Sequence, residues 1–142
     1  MPVPDSTCTV ATDRKYSIEH VWVLSLENNI GIFGITTTMV QILGEPYKMT
    51  FPDVGRVLAR DEDFSTIEGY KLNADLLSPV SGKVIQINTF LKSFSGAHVM
   101  PPLLDDPYNT GWMIAVELTK PEEINDLLTA DGYALRVKGV IE

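Results

Sequence analysis

The chain has 142 residues, of which 44% are hydrophobic and 21% are charged, and it carries a formal net charge of −8. A chain of this length forms one ordinary domain with a substantial core, and this balance of apolar and charged residues excludes wholesale disorder. The negative charge argues against a nucleic-acid partner, because such proteins use cations to displace phosphate counterions.

Residues 1–15 are rich in Pro, Ser, Thr and Asp, which predicts a flexible N-terminal tail before a single domain over residues 16–142. The tail lacks the basic start and apolar stretch of a secretion signal, and no apolar run in the chain approaches the ~20 residues that span a membrane. Cys8 is the only cysteine, so a disulfide or a cysteine metal cluster within one chain is excluded. We therefore expect a cytoplasmic protein that does not enter the membrane.

The first predicted elements are a β-hairpin and a short helix. Two strand-like runs flank Glu27-Asn28-Asn29, and this tripeptide is typical of a hairpin turn. The stretch that follows predicts a short helix, which Thr36 or Thr37 would cap and Gly44 would end before Pro46.

The middle of the chain contains a weak internal repeat. "PDVGRVL" at residues 52–58 and "PVSGKVI" at residues 79–85 share a proline, a glycine, a basic residue and a valine at matching positions. In each copy the proline and glycine predict a turn before a strand. We interpret the repeat as two similar β-halves packed face to face, with Lys71 on the connection between them.

The C-terminal part of the sequence predicts a strand and then a helix. "WMIAVEL" at residues 112–118 indicates a buried strand. Thr119-Lys120-Pro121-Glu122 has the form of a capping box, and Ile124, Leu127 and Leu128 would give the helix its apolar stripe before Asp131-Gly132 ends it. The fold class is therefore mainly β, with short helices and a C-terminal helix.

The sequence contains few residues that could carry out conventional catalysis. His20 and His98 are the only histidines; His20, beside Trp22, is expected to be packed or hydrogen-bonded, and His98 to be exposed in a loop. Two scattered histidines do not make a zinc site, and neither a glycine-rich phosphate loop nor a hydrolase motif is present. Residues 61–63, all acidic, are expected to form a solvated turn. We infer that the chain is not an enzyme and has no active site of its own.

Lys71 lies in a turn between two strand-like runs, within "IEGYKLN" at residues 67–73. A lysine amine on its long flexible stem is the usual site for covalent attachment of a carrier group, which requires a hairpin tip that other enzymes can reach. Gly69 would help by adopting a positive φ in the turn. From these residues alone, an ordinary solvated lysine and a carrier lysine both remain open.

Several short motifs then occur along the chain in order. They are Glu19-His20-Val21-Trp22-Val23, Gly34-Ile35-Thr36, Leu43-Gly44, Pro52-Asp53-Val54-Gly55, Glu68-Gly69-Tyr70-Lys71-Leu72, Ser78-Pro79-Val80-Ser81-Gly82 and Asp106-Pro107-Tyr108-Asn109-Thr110-Gly111-Trp112. With these motifs the chain resembles the H-protein family of the glycine cleavage system, relatives of lipoyl and biotinyl carrier domains, from about Tyr16 to Tyr133.

The resemblance implies a barrel-sandwich hybrid with lipoate amide-linked to Lys71. Glu68, Gly69, Tyr70 and Leu72 would complete the lipoyl turn. The implied partners are a lipoate ligase or lipoyl transferase, followed by glycine decarboxylase, an aminomethyltransferase and dihydrolipoyl dehydrogenase. The chain would act as a carrier, whose arm holds a group on dihydrolipoyl sulfur while it passes between these enzymes.

The sequence departs from the family pattern around Lys71 and in one loop. Gly69-Tyr70 replaces Ser-Val, Leu72 replaces a small residue, and Asp61 replaces a turn glycine. The segment between Asn88 and Asp106 is longer than in a typical H-protein. Because these are partner-facing parts of a carrier, the departures concern its partners more than its fold.

Three alternatives accompany the glycine cleavage role. The chain also resembles the divergent lipoate-binding branch that carries sulfur for a heterodisulfide-reductase-like complex in sulfur oxidation. It could instead be an unlipoylated interaction or regulatory protein that keeps the fold, although Glu68 and Lys71 are retained. A biotin carrier is disfavoured, because such carriers usually place Met directly before the lysine, where this chain has Tyr70.

Overall fold

The computed structural model describes residues 9–138 together with residues 140 and 141. In this part of the chain short strands predominate, and four short α-helices and two 3-10 helices connect them. The strands are β1 (Thr9–Val10), β2 (Lys15–Tyr16), β3 (Val21–Leu26), β4 (Ile30–Ile35), β5 (Pro46–Met49), β6 (Val57–Leu58), β7 (Asp63–Gly69), β8 (Asn73–Leu77), β9 (Gly82–Ile87), β10 (Ile114–Leu118) and β11 (Val140–Ile141). The α-helices are α1 (Thr37–Leu43), α2 (Thr89–Lys92), α3 (Pro101–Asp105) and α4 (Ala130–Val137).

Two antiparallel sheets share one hydrophobic core. The larger sheet has six strands in the order β2-β3-β4-β10-β9-β6, and the smaller has three in the order β5-β7-β8. Phe33 of the larger sheet meets Phe64 of the smaller one edge to face, with ring centroids 5.9 Å apart. The buried cluster that contains them also includes Leu91 of α2 and Leu103 of α3. This architecture confirms the predicted mainly β barrel-sandwich hybrid.

The predicted hairpin and first helix are confirmed. β3 and β4 pair along their full length on either side of the Glu27–Asn29 turn, where Asn28 and Asn29 adopt positive φ angles of 62° and 59°. Thr36 is the residue that caps α1, since its Oγ1 accepts the N–H of Met39 at 3.3 Å. α1 ends at Gly44, which has a φ of 73°.

The helix predicted after the capping-box motif is wrong. Residues Pro121–Asp126 form only a 3-10 helix with no side-chain cap. The chain becomes extended at Leu127, and Leu128 then exchanges two backbone hydrogen bonds with Tyr16, of 2.8 and 2.9 Å. Glu123 does not cap the 3-10 helix in which it lies, because its carboxylate accepts the N–H of Ser81 at 2.7 Å. Pairing with distant parts of the chain therefore replaces the local helix.

Asp131 and Gly132 lie in the first turn of α4 rather than at the end of a helix. The hydroxyl of Thr129 accepts the N–H of Gly132 at 3.1 Å, which caps this helix start. The ring of Tyr133 in α4 stacks on that of Tyr16, with centroids 4.5 Å apart. A C-terminal helix is thus present as predicted, but it begins where the sequence pattern indicated an end.

The two copies of the repeat are neighbours in one sheet, and the prediction that they pack face to face is wrong. β6 and β9 pair antiparallel, with Val57 opposite Lys83. The N–H of Gly55 donates to the carbonyl of Val84 at 2.7 Å, and the N–H of Val84 donates to the carbonyl of Arg56 at 2.8 Å. Each copy thereby satisfies the backbone of the other. Lys71 does lie on the connection between them, in the hairpin of β7 and β8.

The N-terminal boundary also needs correction. Residues 1–8, including Cys8, lie outside the described residues, but residues 9–15 pack against the domain instead of forming a tail. Val10 is fully buried and Arg14 is only 8% exposed. The Arg14 guanidinium lies 4.5 Å from the Trp22 ring centroid and donates a hydrogen bond of 2.7 Å to the Tyr108 carbonyl. The amino-acid composition that predicted a tail gives no indication of these contacts with Trp22 and Tyr108.

The prediction that His20 is hydrogen-bonded is confirmed. Its Nδ1 lies 2.7 Å from the hydroxyl of Tyr133, which is also hydrogen-bonded to the hydroxyl of Thr36 at 2.8 Å. Burial, together with the positive charge of Arg136, lowers the pKa of the His20 imidazole. This network attaches α4 to the chain on both sides of the first hairpin.

Tyr133→Phe should lower the free energy of unfolding by about 1–3 kcal/mol, because it leaves the polar groups of His20 and Thr36 without their shared partner. Leu135→Ala is the matched control in the same helix: Leu135 is 82% exposed, so its truncation should change stability by no more than about 0.5 kcal/mol. Urea unfolding of the three proteins measures both effects. Equal stability of the Tyr133→Phe variant and the wild type would contradict this role of the network.

His20→Asn should flatten the dependence of stability on pH. Because the pKa of His20 is lowered in the folded state, the unfolded chain takes up the proton more readily, and the wild type should lose stability as the pH falls below about 6.5. Asn tolerates the positive φ of 70° at this position. Urea unfolding between about pH 7.5 and pH 5 tests this linkage. If both proteins lose stability in parallel, His20 does not contribute to it.

Candidate functional site

Lys71 stands at the tip of the hairpin formed by β7 and β8. Glu68 pairs with Asn73 across the hairpin, and the N–H of Gly69 donates to the carbonyl of Leu72 at 3.0 Å. Lys71 is exposed, as are the side chains on either side of it, Tyr70 at 61% and Leu72 at 44%. The predicted exposed hairpin tip is therefore present.

The end of α1 supports the backbone of this turn. The N–H of Lys71 donates to the carbonyl of Leu43 at 2.9 Å, and the N–H of Tyr70 donates to the carbonyl of Glu45 at 3.3 Å. The last carbonyls of a helix have no partners within the helix, so the Lys71 N–H satisfies the Leu43 carbonyl that α1 leaves unpaired, while Glu45 belongs to the segment after the helix. Gly44 permits the contact, because a Cβ there would lie 2.9 Å from Cγ of Lys71.

Gly69 is required for a different reason from the one its sequence context predicts. Its φ is not in the positive range that Gly44, Gly55 and Gly96 adopt. A Cβ at position 69 would instead lie 2.2 Å from the carbonyl oxygen of Leu43. The residue allows the turn to approach the end of α1, and this close approach is what a side chain would prevent.

Tyr70 connects the turn to the longer segment between Asn88 and Asp106. Its hydroxyl donates to the carbonyl of His98 at 2.6 Å. Its ring packs against that of Tyr47 in β5, with centroids 4.9 Å apart and an interplanar angle of 34°. His98 is exposed, as predicted, and it contributes its backbone rather than its imidazole. Two sequence departures that lie far apart along the chain thus meet beside Lys71.

The charged residues at the two ends of β7 are loosely paired. Glu68 lies 3.9 Å from the ammonium of Lys48 on the adjacent strand, and such exposed pairs contribute about 0–1 kcal/mol. In the acidic run of residues 61–63, Glu62 lies 3.5 Å from Arg56, and Asp61 adopts a φ of 68°. Asp61 therefore takes the left-handed conformation that favours the glycine usual in the family.

Neither a metal centre nor a membrane helix occurs in the described part of the chain. No group of three or more His, Cys, Asp or Glu residues there is placed to hold a metal ion. None of the helices described is both long enough and apolar enough to cross a membrane. What the site offers is an exposed primary amine on a supported turn, which suits acylation and presentation to the active sites of other proteins.

The comparisons with known proteins agree with this geometry. The family model described as "Glycine cleavage H-protein" matches residues 14–139. This chain belongs to that family. The glycine cleavage system H protein of Symbiobacterium thermophilum is 42% identical over 125 residues, which cover 87% of this chain and 92% of that protein. The glycine cleavage system H protein 4 of Aquifex aeolicus is 34% identical, over 94% of this chain and 74% of the relative.

A solved structure supports the same assignment for the fold. The crystal structure of a glycine cleavage system H protein from Mycobacterium marinum matches with a TM-score of 0.76 and 29% sequence identity. The match covers 88% of this chain and 96% of that one. The H-protein family comprises lipoyl carriers without catalytic activity of their own, so the inference that this chain is not an enzyme is confirmed.

The structure gathers the predicted residues Glu68, Gly69, Tyr70, Lys71 and Leu72 into one turn. Sequence reasoning missed the parts that support it, which are the carbonyls of Leu43, Glu45 and His98 and the ring of Tyr47. Gly44 directly before Glu45 was the only local signal for the first two. Backbone carbonyls carry no side-chain signature, so the contact with His98 had none.

Gly69→Ala should destabilise the H-protein by about 1–3 kcal/mol and loosen the turn, because the added methyl group displaces it from the Leu43 carbonyl. Hydrogen exchange at the Lys71 amide should become faster in the variant. Asn73→Ala, at an exposed position of the same hairpin, is the control and should leave that amide protected. Unchanged exchange at Lys71 in Gly69→Ala would show that the close approach does not hold the turn.

Proposed function

We propose that this H-protein carries lipoate in amide linkage to Lys71 and passes a group on the lipoyl sulfur between the enzymes of glycine cleavage. The observation that carries the proposal is the exposure of Lys71 at a hairpin tip whose backbone is hydrogen-bonded to the end of α1. A bound lipoyl group would supply a cyclic disulfide that opens, holds a group on sulfur and is reoxidised.

The residues of the turn have separate tasks in this proposal. Lys71 provides the amine and the flexible stem of the arm. The Leu43 carbonyl holds the Lys71 amide, and Gly69 lets the turn sit against that carbonyl. Leu72 presents apolar surface next to the arm. Acylation removes the charge of the Lys71 amine, which lowers the cost of placing the arm in an apolar enzyme channel.

The proposed partners follow from the family. A lipoate ligase or lipoyl transferase would modify Lys71, after which the arm would visit glycine decarboxylase, an aminomethyltransferase and dihydrolipoyl dehydrogenase. The cytoplasm is the expected location of such a carrier. Glycine-dependent carbon dioxide release, measured with glycine decarboxylase and the lipoylated protein, tests the glycine cleavage cargo.

A sulfur cargo with a heterodisulfide-reductase-like complex is the second candidate. The observation that favours it is the contact of Tyr70 with the longer segment after Asn88, because it changes the surface that partners of Lys71 would meet. A lipoylated protein that fails to support glycine decarboxylation, while an authentic glycine cleavage H-protein succeeds in the same assay, would favour this role.

Lipoylation itself should depend on Lys71. Incubation with a lipoate ligase, lipoate and ATP should add the mass of one lipoyl group to the intact wild-type protein and nothing to Lys71→Arg. Lys48→Arg is the matched control, since Lys48 lies on the adjacent strand beside Glu68, and it should be modified like the wild type. If a ligase that modifies another H-protein leaves this one unmodified, the unlipoylated alternative replaces the carrier proposal.

A further inference from the structure

The residue directly before Lys71 is hydrogen-bonded to a part of the chain that lies outside the hairpin. The hydroxyl of Tyr70 donates to the carbonyl of His98 at 2.6 Å, and its ring lies 4.9 Å from that of Tyr47. The side chain is nevertheless 61% exposed. Core packing therefore does not account for the orientation of the Tyr70 side chain. Its orientation is set by the hydrogen bond to His98 and by the ring contact with the partly exposed Tyr47.

The segment that accepts this hydrogen bond is itself attached to β5. The N–H of Gly96 donates to the carbonyl of Tyr47 at 2.8 Å. The hydroxyl of Ser95 accepts the N–H of Met49 and donates to the Met49 carbonyl, both at 3.0 Å. Met100 follows, fully buried. Tyr70 thus has a fixed partner, because the segment around His98 is tied to the sheet that bears the hairpin.

Hydrogen bonds consequently hold the turn both through its backbone and through the side chain of Tyr70. The Leu43 carbonyl holds its backbone, and the His98 carbonyl holds the side chain of Tyr70. If only the backbone were held, the side chain of Tyr70 would be less restrained. With both in place, the stem of Lys71 leaves the protein in a restricted range of directions.

We propose that Tyr70 is a positioning residue for the acylation of Lys71, and that its hydrogen bond to His98 holds the turn in the conformation that the acylating enzyme accepts. The inference rests on the proposed function, because it concerns the modification of the same lysine. It adds a residue and a segment that act through Lys71 without contacting the reacting atoms.

The acylation reaction shows why the direction of the Lys71 side chain matters. With a lipoyl adenylate as donor, the neutral Nζ of Lys71 attacks the acyl carbon and forms the C–N amide bond. The bond from the acyl carbon to the phosphate oxygen breaks, AMP leaves with that electron pair, and the proton lost from nitrogen passes to a base of the enzyme or to water. The attack requires the amine to enter an enzyme channel aligned with the acyl carbon, so a turn that samples other directions binds productively less often.

Tyr70→Phe tests the hydrogen bond alone, since it keeps the ring beside Tyr47 and removes the hydroxyl. Steady-state acylation by purified lipoate ligase, with lipoate, ATP and the unmodified protein as varied substrate, should show a KM several-fold to about tenfold higher with kcat nearly unchanged. Hydrogen exchange at the Lys71 and Leu72 amides of the unmodified protein should become faster. Tyr70→Val, which removes both the hydroxyl and the ring, should show the same two changes.

Phe90→Leu is the control variant. Phe90 is an exposed residue of α2 in the same longer segment, and its replacement leaves the Tyr70–His98 hydrogen bond in place. Its KM and amide exchange should match those of the wild type.

Three results would overturn the positioning role. Acylation of Tyr70→Phe with wild-type KM and kcat would do so while leaving the proposed function intact. A raised KM with unchanged amide exchange would also do so, since the enzyme would then contact the hydroxyl directly. A wild-type protein that no competent ligase modifies would remove the proposed function, and this inference with it.

Discussion

One hydrogen bond, from the N–H of Lys71 to the carbonyl of Leu43, joins the tip of the β7–β8 hairpin to the end of α1. A helix end has carbonyls that need partners, and a hairpin tip has N–H groups that point away from its own strands. Each element here supplies what the other lacks. The contact is possible because neither Gly69 nor Gly44 has a side chain to separate them. Lys71 is therefore exposed to solvent while its backbone N–H is hydrogen-bonded.

A carrier has to be reached by several enzymes without presenting each with a different conformation. In the proposed carrier role, Lys71 would meet this requirement with an exposed side chain on a backbone that is hydrogen-bonded to Leu43. The contact of Tyr70 with His98 extends the restraint to the neighbouring side chain. The longer segment after Asn88 is therefore more than an insertion in a surface loop, because Gly96 and Ser95 fasten it to β5 next to the site.

Local sequence signals predict the structure correctly where one short stretch makes its own hydrogen bonds. Thr36 caps the helix that follows it, Gly44 ends that helix, and the Asn28–Asn29 turn closes its hairpin. The helix predicted over Thr119–Gly132 failed for the opposite reason. Leu128 pairs with Tyr16, more than a hundred residues earlier in the chain, and backbone pairing of this kind outweighs a capping pattern. The repeat was detected correctly, but its pairing within one sheet depended on strand order.

The sequence by itself determined the family, the mainly β architecture, the carrier character and the position of Lys71 in an exposed turn. These follow from ordered motifs and from the conformational preferences of neighbouring residues. Only the tertiary structure decided that Gly69 serves a close approach instead of a positive φ, that Tyr70 is bonded to His98, and that residues 9–15 pack against the domain. The physical reason is that these features depend on backbone carbonyls and on distances between remote segments. The backbone carbonyls are the same in every sequence, and the distances are set only when the chain has folded around its core.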